Sequence, residues 1–274
     1  MTDPRINLGM YPAPASADIF AAIEGQLAAV LDKAGIRSDK SPDRPAVRHM
    51  CGITLAIAPA GRWRYLATPV IGDPVVPGGH YNSLIITPRD GGLAAVGDFD
   101  QAVHKAAINE PGSFSGNITF AAHLARSCGV TLRSPVRSGA HLNSVTMVAN
   151  GKAQLAAIDR MSFSLAHHDR PEDVAKVRVI GETTFHPAPP LVADGALEDS
   201  LVAELRDALR GCRNLPAWPE IGRIHGVADE TVMEEALYPP IATVIPRPPH
   251  TGHPSLGTRP PHNRRPAPTP SPGT

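Results

Sequence analysis

Between residues 99 and 183, short apolar runs alternate with longer amphipathic stretches, and this alternation restricts the chain to a narrow set of folds. Strand, helix and strand in succession build a sheet with helices on its faces, an α/β architecture. The expected elements begin with a short helix over Phe99–Lys105, a strand over Ala106–Asn109 and a helix over Ser115–Cys128 that stops at Gly129. Segment Val130–Val136, a helix over Leu142–Asn150, a strand over Leu155–Ile158, a helix over Ser162–Ala166 and a strand over Val177–Thr183 follow. Before this region, a strand over Arg5–Met10 leads into a helix over Ala17–Ala34, where Ile19, Phe20, Ile23, Leu27, Val30 and Leu31 recur at a helical period and Gly35 closes the helix. Residues 37–48 read as a loop, Ile53–Ala58 as a strand or short helix, and Trp63–Val70 and Tyr81–Thr87 as strands around a Gly/Pro turn region. After Thr184 come a strand over Leu191–Ala193, a helix over Leu197–Cys212 and a last helix over Val227–Leu237.

Composition narrows the function. Of the 30 prolines, 12 fall in residues 239–274, beside four arginines, no acid and few large apolar side chains. Such a segment buries too little surface to offset chain entropy and reads as a disordered tail. Its Arg-Pro-Pro triplets at 247–249 and 259–261 are also compatible with a polyproline ligand. The chain balances 26 Lys+Arg against 26 Asp+Glu, so the basic tail leaves the body mildly acidic. A nucleic-acid binder would carry a basic stripe instead. Cys51, Cys128 and Cys212 are odd in number and widely spaced, which excludes a complete disulfide framework or a CxxC motif. No long apolar run and no basic-then-apolar start are present, so the expectation is a cytoplasmic chain without membrane insertion.

The segment Asn109-Glu110-Pro111-Gly112-Ser113-Phe114-Ser115-Gly116-Asn117 carries the most chemistry. An apolar strand runs into a Pro-Gly turn, and two hydroxyls and a glycine then open a helix. Free backbone N–H groups and the positive end of the helix dipole suit an anion there, with Ser113 and Ser115 as added donors. Alternatively, a serine is only the helix cap and the glycines only shape the turn. The segment is not a nucleophile elbow, because Phe114 stands at the centre of Gly112 to Gly116, and it lacks the GK[ST] ending of a P-loop.

That segment, the Ser138-Gly139-Ala140-His141 turn and the Val145–Asp159 stretch ending Ala156-Ala157-Ile158-Asp159 resemble the phosphate/phosphonate-binding proteins of ABC importers. Leu8-Gly9-Met10-Tyr11 and Met50-Cys51-Gly52 resemble the leaderless, cytoplasmic branch of that family, and the similarity runs over about residues 5–212. The resemblance implies a two-lobed periplasmic-binding-protein fold with two crossover strands and ligand in the cleft between lobes. Lobe 1 would comprise residues 5–86 plus 185–238, and lobe 2 residues 87–184. It further implies that Ser113, Ser115 and Gly116 hold phosphonate or phosphate oxygens, with Asn117 as a further N–H and His141 as a second contact. From their places at strand ends, Tyr11 either faces the cleft or is a core or rim aromatic, Tyr81 and Ser83 either face it from lobe 1 or are half-buried strand residues, and Asp159 either pairs with a ligand amine or caps the next helix. No cofactor or metal is implied; the partners would be a small oxyanion and an ABC permease.

Other readings remain open on the residues alone. Ser113 or Ser115, His141 and Asp159 are the residue types of a hydrolase triad, and binding-protein folds can also serve cofactorless enzymes acting on small carboxylates or phosphorylated metabolites. His167-His168-Asp169 is a dense but poorly spaced metal candidate. Cys51 is either a reactive thiol or a small packing residue.

Overall fold

The computed structural model describes residues 3–11, 13–37, 45–231 and 237–244. Two five-stranded sheets, each flanked by helices, are joined by a short two-stranded ribbon. The first sheet has the order β1 (Ile6–Asn7), β2 (Val47–His49), β11 (Leu191–Asp194), β3 (Trp63–Ile71) and β12 (Val227–Thr231). The second has the order β7 (Val136–Arg137), β6 (Ala106–Ile108), β8 (Leu155–Asp159), β5 (Ser83–Pro88) and β9 (Val177–Glu182). The ribbon pairs β4 (His80–Tyr81) antiparallel with β10 (His186–Pro187), where the chain passes from one sheet to the other and back.

Period-two patterning explains why the second sheet is covered on both sides. Along β5, Ile85 and Ile86 are both fully buried but enter different cores, and along β8 Leu155 and Ala157 part from Ala156 and Ile158 in the same way. One core is closed by Val145 and Val148 of α4 (His141–Ala149), the other by Phe120 and Leu124 of α3 (Thr119–Cys128). Beside the first sheet, α1 (Ala17–Lys33) buries the stripe Ile19, Ile23, Leu27 and Leu31. It packs on α7 (Asp199–Gly211), whose Leu201, Leu205 and Leu209 lie in the same core. Each such side chain contributes about 1.5–3 kcal/mol on burial.

The junction between sheets is cross-linked by polar groups. Asn82 interrupts the expected strand over Tyr81–Thr87, and its Nδ2 donates to the Thr183 carbonyl at 3.0 Å and to Glu182 at 2.9 Å. Arg160 opens α5 (Arg160–Asp169); it donates to Asn82 Oδ1 at 2.6 Å and pairs with Asp73 at 2.6 Å and Glu182 at 2.8 Å.

Several expectations need correction. Phe99–Lys105 is not a helix: Asp100 accepts from the Ala102 N–H, and His104 Nδ1 accepts from the Asp100 N–H, so side chains hold the backbone in a turn. Only Ile6–Asn7 of the first expected strand and only Val136 of segment Val130–Val136, which begins β7, make ladders. Residues expected as loop include β2, and the ambiguous Ile53–Ala58 is the short helix α2 (Gly52–Ala56). The expected helix over Val227–Leu237 is instead strand β12 as far as Thr231, because Val227 to Thr231 pair with the edge of β3; residues 232–236 lie outside the description. The preceding helix α8 (Trp218–His225) was not expected, although Pro219 in its first turn and Gly226 at φ 68° after its end are boundary signals. The first residues of the expected disordered tail are ordered: Pro239–Val244 form a 3-10 turn that buries Ile241 against the first core. The rest of that tail, residues 245–274, lies outside the described residues.

Candidate functional site

After β6, residues Asn109 to Ser113 carry the chain into a π-turn, Phe114–Ile118, ahead of α3. Because a π-turn bonds each N–H five residues back, its start leaves one more free N–H than an α-helix does. Ser113 caps it, with Oγ accepting from the Gly116 N–H at 3.1 Å. Phe114 turns inward, fully buried, with its ring centroid 4.9 Å from that of His186. Ser113 and Ser115 on either side of it therefore line the cleft. The Ser115 carbonyl accepts from Ser83 Oγ and Thr119 Oγ1, each at 3.1 Å, which pins the turn to β5.

A second helix start converges on the same place. The Ser138 N–H donates to the Ile108 carbonyl at 2.8 Å and the Gly139 N–H to the Asn109 carbonyl at 2.9 Å, so the turn before α4 lies beside the turn after β6. Ala140 at the cap position of α4 provides no side-chain cap for the helix that His141 begins. Tyr11 and Cys51 face these turns across a cleft of about 670 Å³.

His141 sits between the two turns. Its Nε2 lies 3.0 Å from Ser115 Oγ and 3.1 Å from Asp159 Oδ2, while its Nδ1 is buried without a hydrogen bond. Asp159 is 1% exposed and caps α5: Oδ1 accepts from the Ser162 N–H at 2.9 Å and Oδ2 from the Ser162 hydroxyl at 2.7 Å. A carboxylate only accepts, so the contact with Asp159 calls for the proton on Nε2; in that tautomer Ser115 Oγ also accepts from the ring, and the Ser115 hydroxyl proton can turn to Tyr81 or to a ligand. Burial holds the His141 imidazole below its ordinary pKa despite the pull of Asp159. This is not the arrangement of a hydrolase triad, in which nucleophile and acid meet opposite nitrogens of the base. Here Ser115 and Asp159 address the same ring edge, and turning the ring over leaves them so.

Of the other expected residues, Tyr11 lines the cleft beside Asp159, and burial, reinforced by the Asp159 charge, lifts its phenol well above the usual range. Gly116 is required by close approach: a Cβ there would meet Asn109 Oδ1 at 2.1 Å and His141 Cε1 at 2.8 Å. Four expected residues do not line the cleft: Gly116 lies behind Ser113, Ser83 is buried and spends its hydroxyl on the Ser115 carbonyl, and Asn117 and Tyr81 also point elsewhere. The Asn117 side chain donates to the Pro111 carbonyl at 2.6 Å and braces the turn, and Tyr81 is buried behind Ser115 in the first core. Cys51 does stand at the start of α2, but burial raises its thiol pKa, which fits a packing role. His168 is held by Asp169 at 2.8 Å, and among the described residues no three His, Cys, Asp or Glu side chains gather as a ligand set.

Asn109 and Arg170 also line the cleft, although sequence reasoning did not single them out as contacts. Asn109 stood inside the motif and drew no notice because it reads as the end of a strand. Arg170 follows a helix eleven residues after Asp159, with nothing in its neighbourhood to mark it.

The sequence matches the family model described as ABC transporter, phosphonate, periplasmic substrate-binding protein over residues 51–226. No curated protein matches the chain. Among solved structures, PhnD1 from Prochlorococcus marinus in complex with methylphosphonate superposes with TM-score 0.68 at 13% identity, covering 88% of this chain and 97% of that one. A binding protein component of an ABC phosphonate transporter from Pseudomonas aeruginosa gives 0.67 at 16% identity, covering 87% and 83%. XAC2383 from Xanthomonas citri bound to ATP gives 0.63 at 14% identity, covering 87% and 94%. These likenesses show the two-lobed binding-protein fold, and the family match spans most of the chain. The protein therefore belongs to the phosphonate ABC-transporter substrate-binding family.

Proposed function

We propose that the chain captures a small phosphorus oxyanion, a phosphonate, phosphate or phosphate ester, in this cleft and releases it unchanged. The observation that carries the reading is the convergence of two helix starts, the π-turn with Ser113 and Ser115 and the side-chain-uncapped start of α4, on one wall of a single cleft. Aligned N–H groups supply a local positive field whatever the net charge. Ser113, Ser115 and His141 would touch the oxyanion, with Gly116 behind them giving Asn109 and His141 room and Tyr11 closing over the ligand from the other side. Residues 5–86 plus 185–238 and residues 87–184 would act as the two lobes, closing about the β4–β10 ribbon. Release unchanged is supported by the geometry of His141, which gives Ser115 no relay to Asp159. An ABC permease would be the partner that receives the ligand. The family is described as periplasmic, which lends no support to the cytoplasmic placement expected from the amino terminus. Among the described residues, no helix is long and apolar enough to cross a membrane.

Isothermal titration against phosphate, methylphosphonate, 2-aminoethylphosphonate, sulfate and a small carboxylate tests the reading. Saturable one-to-one binding of a phosphorus oxyanion, with heat returning to baseline, is the expected result. Continuous heat from one compound would replace it with a cofactorless enzyme on the same fold, and failure to bind any phosphorus oxyanion would overturn it. Gly116→Ala should weaken the bound oxyanion about tenfold, since the new methyl displaces Asn109 and His141 together. Equal affinity in that variant would show that these two side chains do not shape the site.

A further inference from the structure

The cleft of about 670 Å³ has room beyond one tetrahedral oxyanion, and the charges beyond the two helix starts bear on what a ligand's tail could be. The groups that would recognise an amine are already occupied. Asp159 is buried and accepts from Ser162 and His141, and Glu110 at the rim pairs with Arg137. Arg170 is the contrasting case. It stands half-buried at the junction of α5 and α6 (Pro171–Ala175) and lines the same cleft. Its Nη1 donates to Thr146 Oγ1 at 2.9 Å, and that hydroxyl in turn donates to Asp173 Oδ2 at 2.6 Å. Asp173 thus reaches the guanidinium through Thr146, and among the described residues no carboxylate pairs with Arg170 directly.

Building on the proposed oxyanion site, we infer that Arg170 is a specificity-determining residue that reads a carboxylate on the ligand's tail, so that the cleft selects carboxylate-bearing phosphonates. The anchor on Thr146 fixes one edge of the guanidinium and lowers the entropy cost of using it. The Nε and Nη2 edge keeps the parallel donors that match a carboxylate two-to-two. Thr146 stands five residues into α4, roughly 7 Å along the axis from the helix's first N–H groups. That spacing suits an oxyanion and a carboxylate joined by a short carbon linker.

Titration of the full chain with methylphosphonate, 3-phosphonopropionate and 2-aminoethylphosphonate tests this, on the parent and on Arg170→Gln and Arg170→Lys. In the parent, 3-phosphonopropionate should bind at least tenfold tighter than methylphosphonate, and 2-aminoethylphosphonate no tighter than methylphosphonate. Arg170→Gln should bring the ratio of 3-phosphonopropionate to methylphosphonate affinity down to about one, and Arg170→Lys should keep part of it. If the parent binds methylphosphonate and 3-phosphonopropionate alike, or Arg170→Gln weakens both equally, the inference is wrong while the oxyanion site stands. If the parent binds none of the three, the oxyanion site fails and the inference fails with it.

Discussion

The double variant Ser113→Ala, Ser115→Ala should bind methylphosphonate at least a hundredfold more weakly than the parent chain. In the proposed site each hydroxyl would donate to the anion in a partly desolvated cleft, where a hydrogen bond to a charged group contributes about 1.5–3 kcal/mol. Losing two removes about 3–6 kcal/mol, and about 1.4 kcal/mol is a factor of ten in affinity. Ser113 Oγ accepts from the Gly116 N–H, so its own hydrogen is available to a ligand, and with the His141 proton on Nε2 the Ser115 hydroxyl can turn its hydrogen to the ligand as well. The fold should survive at a cost of about 1 kcal/mol for the lost cap at Ser113, because Phe114 and the Ser115 carbonyl still anchor the turn. Titration, with thermal melting to verify folding, is the measurement, and a loss smaller than tenfold in a folded variant would remove the serines from the site.

That loop could be located from sequence because its signals are local. Pro111 and Gly112 break the strand, Ser113 caps, and Gly116 marks a close backbone approach whose cause, Asn109 and His141, only the folded chain reveals. The alternation of buried strands and amphipathic helices through residues 106–182 was legible for the same reason: β6 and β8 carry small and branched apolar residues on both faces. What escaped depends on contacts between distant segments. Val227–Thr231 opens a stretch whose acidic residues and methionine suit a helix, yet those five residues lie along the edge of β3, and ladder bonds there outweigh propensity. The orientation of Asn117 and Tyr81 was equally hidden, since one turns back to Pro111 and the other packs behind Ser115. Arg170 was invisible because its place at the cleft is set by the packing of α5 and α6 against Thr146 of α4, which no sequence window displays.

Acidification from pH 6.5 to pH 4 should destabilise the chain by several kcal/mol before the bulk of its carboxylates protonate. His49 and His225 are both buried, and burial holds each imidazole at a pKa of about 4. The hydrogen bond of His49 to the Pro189 carbonyl and the charges of Asp169 and Asp159 near His225 offset burial only in part. In the unfolded chain both titrate near 6.5. Between pH 6.5 and 4 the unfolded state therefore binds protons that the folded state does not, and stability falls as pH falls through that window. Each residue contributes roughly 2–3 kcal/mol to the loss. His141, lowered in the same direction, adds to the slope, so His49→Gln with His225→Gln should flatten it without abolishing it. Urea denaturation at pH 7, 6, 5 and 4.5 for the parent and the double variant measures the difference, and identical slopes would show that neither imidazole is buried neutral. The cleft should register the same event. The Tyr11 ring lies 5.6 Å from that of His49 and 6.5 Å from that of His225, so a proton entering either one disturbs the wall that faces the two helix starts. Oxyanion affinity should therefore fall with pH in the parent over this window and fall less in the double variant, linking the buried histidines of one sheet to the ligand held by the other.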